Sequence, residues 1–191
     1  SGDAGDLKSG TYVLKRDMSY AAALDVLTGG PPRPRIAKVV IPEGLSRREA
    51  APVVAKAGLT GDYVAATRRS SELNPRRYGA PKGTDSLEGF LFPATYQLKT
   101  GSDVSGLVTQ QLAAFKDNLA EINLRPARRK NLTAYDVITI ASMIEREAQV
   151  PRERRLVAAV IYNRLRQGMP LGIDATIRFA THNWTRPLRV S

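Results

Sequence analysis

At 191 residues, with 29 Lys+Arg against 18 Asp+Glu and a formal charge of +11, the chain has the length of one ordinary domain or two small ones and a bias toward anionic partners. A hydrophobic share of 42% supports a packed core and excludes disorder and collagen-like structure. With no cysteine and a single histidine, His182, a disulfide framework, a thiolate nucleophile and a Cys- or His-rich metal centre are excluded, and no apolar run approaches the roughly 18 to 20 residues of a membrane span.

Two early segments repeat a strand-helix unit at an offset of about 27 residues. In the first, residues 11–14 read as a strand and Ser19 as the N-cap of a helix over 20–27, closed by Gly29 and Gly30. In the second, residues 38–41 are the strand and Ser46 caps a helix over 47–57, closed by Gly58. Residues 31–34, three of them proline, join the two as an extended connector. Residues 60–71 read as helix and 74–84 as turns rich in Pro, Gly and Asn. Residues 88–97 are the densest aromatic cluster and read as strand or extended chain, although Pro93 keeps them from the middle of a sheet. From residue 102 the pattern is helical: an amphipathic helix over 104–119, a basic loop over 125–130, and a helix of about 16 residues opened by the capping box Thr133-x-x-Asp136. A helix over 151–167 starts at a proline and stops at Gly168, and Asp174 caps a short helix running to Ala180. The fold class is therefore α+β, with strands and helices mixed in the amino-terminal half and helices dominating the carboxyl-terminal half.

The helix over 133–149 places Val137, Ile138, Ile140, Ala141, Ile144 and Ala148 on one arc. On that wheel Glu145 lies roughly 70° from the centre of the arc, Glu147 roughly 90° and Arg146 roughly 170°. Glu145 is thus the charged residue drawn furthest inward. A carboxylate between Ile138 and Ala141 is partly desolvated, which raises its pKa toward the range of a general acid. The plainer reading is that Glu145 pairs with a neighbouring arginine at the helix boundary, and spacing alone leaves both open.

Three strings, Leu87-Glu88-Gly89-Phe90-Leu91-Phe92-Pro93-Ala94-Thr95-Tyr96, Ala141-Ser142-Met143-Ile144-Glu145-Arg146-Glu147-Ala148 and Tyr162-Asn163-Arg164-Leu165-Arg166-Gln167-Gly168-Met169-Pro170-Leu171 with Asp174 and Thr176, stand in the order and spacing of a known family. Together with Gly10-Thr11-Tyr12 and Ile41-Pro42-Glu43-Gly44-Leu45, they resemble the YceG-like family of MltG-type endolytic murein transglycosylases over nearly the whole chain.

This resemblance implies three regions: a membrane-proximal strand-helix unit over 1–36, a LysM-like region over 37–98 and a helix-rich catalytic domain over 99–191. It implies non-hydrolytic cleavage of the bond between N-acetylmuramic acid and N-acetylglucosamine in nascent glycan strands, leaving 1,6-anhydro-muramyl ends and limiting strand length, with no metal or cofactor. The family's catalytic glutamate falls on Glu145. Glu88, Tyr96, Glu147, Asn163, Arg164 and Asp174 occupy motif positions around its cleft and are the candidate substrate-binding residues. Alternatives stand beside several of these: a salt bridge for Arg164 and Asp174, a place in the core for Phe90, Phe92 and Tyr96, and exposure to solvent for Glu147. Ala94, Gly172-Ile173 and Ala175 depart from the family pattern, which bears on substrate contacts around Asp174. The implied partners are peptidoglycan strands, peptidoglycan synthases of the penicillin-binding class and the bacterial cell membrane, spanned once by an amino-terminal helix with this region on the extracytoplasmic side. Ser1-Gly2 reads as a cloning remnant, consistent with an anchor before it, and the chain stops at Ser191 before the last family segments, so the catalytic domain is expected to be incomplete. The alternative function is a non-catalytic LysM-like peptidoglycan-binding scaffold. Nucleic acid is not an expected partner: the basic run 125–130 lies in none of the nucleic-acid-binding sequence signatures.

Overall fold

In the computed structural model, residues 7–32, 35–174 and 176–177 are described, and they group into one unit up to Arg35 and a second from Ile36 onward. In the first unit, helix α1 (Tyr20–Gly29) starts where Ser19 accepts a hydrogen bond from the Ala22 N–H at 3.2 Å. The strand expected over residues 11–14 does not form. Its side of the unit is held by the Tyr12 hydroxyl, which donates to the Lys8 and Leu27 carbonyls, and Val13 is 85% exposed. A β-prone run becomes a strand only where a neighbour pairs with it, and among the described residues of this unit none does.

The second unit is built on an antiparallel pair, β1 (Ile36–Val40) and β2 (Thr95–Lys99), registered from Ile36 opposite Lys99 to Val40 opposite Thr95. Ala37 and Val39 on β1 and Tyr96 and Leu98 on β2 are buried while their neighbours face out, the period-2 alternation of a sheet covered on one side. Helices α2 (Arg47–Lys56) and α4 (Val104–Ala120) complete this core through Ala50, Val54, Leu107, Val108, Leu112 and Phe115. At its centre Phe90 is fully buried, 5.2 Å from Phe115 in an edge-on contact and 6.1 Å from the stacked ring of Tyr135.

Three expectations change in detail. The aromatic segment over 88–97 is strand only from Thr95, because the chain turns at Leu87–Phe90 to drive the Phe90 ring inward, with Gly89 at φ +82°. Residues 60–71 contain one helical turn, α3 (Tyr63–Ala66), because the carbonyls that would continue it are taken: Arg47 donates to Val64 O at 2.5 Å and the Leu87 N–H to Thr67 O at 3.0 Å. The basic run expected as a loop holds a short helix, α5 (Arg125–Arg128), started by Asn123 Oδ1 accepting from the Arg125 N–H and by Pro126 near its first turn.

Helix α6 (Ala134–Glu147) opens with the reciprocal Thr133–Asp136 box. It serves two apolar clusters. Tyr135 and Ile138 pack on the first core, while Ile140 and Met143 join Ile161 and Ile173 in a second built on α7 (Arg154–Arg166). A 3-10 turn, Pro151–Glu153, precedes α7, so the helix expected from residue 151 starts three residues later. Asp174 is helical, and the extent of that helix to Ala180 lies outside the described residues. Among the described residues no helix is long and apolar enough to cross a membrane.

Candidate active site

Glu145 sits in the last turn of α6, and its side chain is 34% exposed. Its Oε2 accepts from Nη2 of Arg154, the first residue of α7, at 2.9 Å. The carboxylate is part-buried, as the wheel expects, and this ion pair is the partner that the plainer reading of a helix-boundary glutamate calls for. The wheel merged two faces of α6 into one arc. On the line of Ile138, the side toward the first core, Glu145 projects within roughly 20°.

On that side lies Gly44, in the loop between β1 and α2. A Cβ built on Gly44 would stand 3.7 Å from Glu145 Cγ and 3.9 Å from Arg146 Cδ, and its φ of +77° favours glycine. Arg146 fastens this loop to α6: Nη1 donates to the Gly44 carbonyl at 2.6 Å and to Glu49 Oε2 at 3.0 Å, and Nη2 to Glu49 Oε1 at 3.4 Å. The wheel set Arg146 opposite the apolar arc, but a second element meets the helix there and the side chain is only 25% exposed.

Glu49 is itself the third residue of α2 and closes a capping box with Ser46, accepting from the Ser46 N–H at 2.8 Å. Burial acts to raise the Glu49 pKa, yet the hydrogen bonds from Ser46 and Arg146 outweigh it and hold the carboxyl below its ordinary value. Glu88 reaches the same helix start: both its oxygens accept from the Arg47 N–H at 3.2 Å. Here burial dominates and raises the carboxyl above its ordinary value, against the Arg47 hydrogen bond and guanidinium. Glu88, Arg47, Ser46, Glu49, Arg146 and Glu145 thus form a continuous chain of neighbours around the amino terminus of α2, where helix dipole and free N–H groups favour negative charge.

The other candidates lie elsewhere. Tyr96 is 6% exposed and its hydroxyl donates to the Phe92 carbonyl at 2.7 Å; burial pushes its pKa up to about 12. With ring and hydroxyl both committed, Tyr96 is a core residue, and the expected sugar contact has no surface to make it. Glu147 is exposed at the end of α6. Asn163 is exposed on α7, about 14 Å along that helix from Arg154. Arg164 donates to the Leu171 carbonyl and folds the following loop back on α7; Gly172, at φ +60°, leaves room for the guanidinium, since a Cβ there would meet Nη1 at 3.0 Å. Among the described residues no ion pair joins Arg164 to the exposed Asp174, and no hydrogen bond or ion pair joins Asn163, Arg164 or Asp174 to Glu145. No group of three or more His, Cys, Asp or Glu among the described residues is placed to hold a metal ion.

Sequence reasoning missed Gly44, Glu49, Arg146 and Arg154. The Ser46-x-x-Glu49 spacing carried a readable signal for one of them.

Comparison with known proteins gives a consistent result. A protein named endolytic murein transglycosylase from Streptococcus pneumoniae R6 is 33% identical over 197 residues, covering 92% of this chain and 36% of its own length. One of the same name from Bacillus subtilis 168 is 32% identical over 94 residues, covering 49% of this chain and 26% of its own length. The chain therefore spans about a third of the length of the first of these relatives. A crystal structure of a YceG-like protein from Listeria monocytogenes superposes with a TM-score of 0.67 at 25% identity, over 96% of this chain and 64% of that one. The YceG-like family model matches residues 1–191. On a match of that extent, with 33% identity over most of its length to a curated relative, the chain belongs to the YceG-like family.

Proposed function

We propose that this chain is part of an endolytic murein transglycosylase and that Glu145 is its acid. Two relatives carry that name. The observation that brings the reading to this chain is the part-exposed carboxylate of Glu145, with Oε2 bonded to Arg154 and Oε1 without a protein donor among the described residues.

Protonated at Oε1, Glu145 donates to the oxygen linking N-acetylmuramic acid to N-acetylglucosamine while the muramyl C1 gains oxocarbenium character. The glycosidic bond breaks and the leaving sugar departs with that proton as a new hydroxyl. The muramyl C6 oxygen closes onto C1, and its proton passes to the Glu145 carboxylate. One bond is broken, one is made, no water is consumed, and the strand ends in a 1,6-anhydro ring. A single carboxyl group suffices because neither an activated water nor a covalent glycosyl-enzyme is needed. Arg154 stabilises the negative charge that rests on Glu145 between the two transfers.

The same reading puts this region on the outer side of the cytoplasmic membrane, carried by a preceding helix and working beside peptidoglycan synthases. Its charge of +11 supports this, since each well-placed basic side chain adds about 1 kcal/mol of attraction to an anionic surface. The test is muropeptide analysis after incubation with intact glycan strands. Glu145→Gln should abolish anhydro-muramyl products and leave strand binding intact. Products at the wild-type level in that variant would remove Glu145 from the role, and strand binding without products from the wild type would favour the binding-scaffold alternative.

A further inference from the structure

A cavity of about 510 Å3 lies between the 3-10 turn Pro75–Tyr78, the end of α4, α5 and the start of α6. Arg77, Lys116, Arg125 and Arg128 line it over an apolar base that includes Tyr78 and Leu119, and no carboxylate is among its walls. None of the four cations is in an ion pair among the described residues, and the hydrogen bond that Lys116 makes is to the Glu72 carbonyl at 3.4 Å. Four like charges around one concavity repel each other, and low-dielectric walls focus their field on whatever enters. The missing counter-charge is an anion, and forked guanidinium groups fit planar carboxylates.

The position of the cavity indicates whose carboxylates these are. Ala134, at the start of α6, lines the cavity, and Glu145 lies eleven residues further along that helix. That separation is about 16 Å along the axis and only roughly 20° around it, so cavity and acid share one face of α6. We propose that the cavity holds the free carboxylates of a peptide borne by the glycan strand while Glu145 acts on the sugar backbone, an inference that rests on the proposed function above. A lipid surface would also offer anions, but the cavity shares a helix face with Glu145, which a strand-borne peptide explains and a lipid headgroup does not, and the vesicle arm of the test below separates the two.

The test measures binding of the tetrapeptide stem released from murein by an amidase, as the free acid and with its carboxyl groups converted to amides. The full chain carrying Glu145→Gln is compared with the same chain also carrying Arg125→Gln and Arg128→Gln. Amidation and the double substitution should each weaken binding by about tenfold, and together by far less than the product, because they remove the same contacts. Lys116→Gln, on the long helix α4, should weaken binding in the same direction, which guards against damage to the short α5. Equal affinity for acid and amide forms, or unchanged affinity in both cation variants, overturns the proposal. So does binding to phosphatidylglycerol vesicles that depends on these cations while the free peptide fails to compete. Because binding is read in an inactive variant, a wild-type chain that makes no anhydro product yet shows the cation-dependent peptide binding sinks the catalytic reading and upholds this one.

Discussion

Replacing Arg146 by alanine removes three hydrogen bonds at once, two to Glu49 and one to the Gly44 carbonyl, and releases the β1–α2 loop from α6. The pair is well sheltered, at 25% and 21% side-chain exposure, so solvent screens it less than a surface ion pair. Charge-assisted bonds in such a setting are each worth about 1.5 to 3 kcal/mol when one partner is deleted, and some recovery through water brings the expected loss to about 2 to 3 kcal/mol. For a chain of this size that is a fall in Tm of about 4 to 12 °C, measured by calorimetry at pH 7. The pH dependence carries a second signature. The Glu49 carboxyl is held below 4.5 in the folded state, so it contributes stability that is present above its unfolded pKa and lost as pH falls through the folded value. The gap between wild type and Arg146→Ala should therefore be full at neutral pH and shrink on acidification below about 4.5. Adding Glu49→Gln to Arg146→Ala should cost much less than Glu49→Gln alone. An unchanged Tm, or a gap that widens in acid, would refute the assignment of this pair as the clasp between loop and helix.

Other substitutions probe the rest of the frame. Phe90→Ala empties the centre of the first core and should cost about 3 to 5 kcal/mol, read as a shifted midpoint in urea with little change in slope. Gly44→Ala meets no close atom but forces φ +77° on a residue with a side chain, so a loss of about 1 kcal/mol is expected in the same denaturation assay. Glu88 runs opposite to Glu49: its folded pKa is raised above 4.5, so its contribution is full below that value and is lost as pH rises through the folded one. Glu88→Gln keeps an acceptor for the Arg47 N–H, and its Tm relative to wild type should improve between acid and neutral pH.

Local signals were readable where one residue sets one boundary. Ser19, Ser46 and the Thr133–Asp136 box start the helices expected of them, and the strand expected over 38–41 forms two residues earlier, as Ile36–Val40. Failures came where distant groups decide. Residues 11–14 have strand-forming side chains but no pairing partner among the described residues, and α3 stops after one turn because Arg47 and Leu87, both remote in sequence, claim its carbonyls. At the candidate site, the last-turn position of Glu145 on α6 follows from periodicity alone. Its neighbours do not: Arg154 approaches because the chain reverses into α7, and Gly44 because α2 starts against α6. A single helical wheel also has no means to represent a helix buried against two separate clusters, which is why Met143 is buried and Ala141 exposed.

The clasp between Arg146 and Gly44 closes across 102 positions of chain. Closing so wide a loop is entropically costly, and neither α2 nor α6 can supply the contact from its own local turns. Until that contact closes, Glu145 is in place on α6 but the Gly44 loop beside it is not held there. Completion of the candidate site therefore waits on contacts distant in sequence, not on the helix that carries the carboxylate.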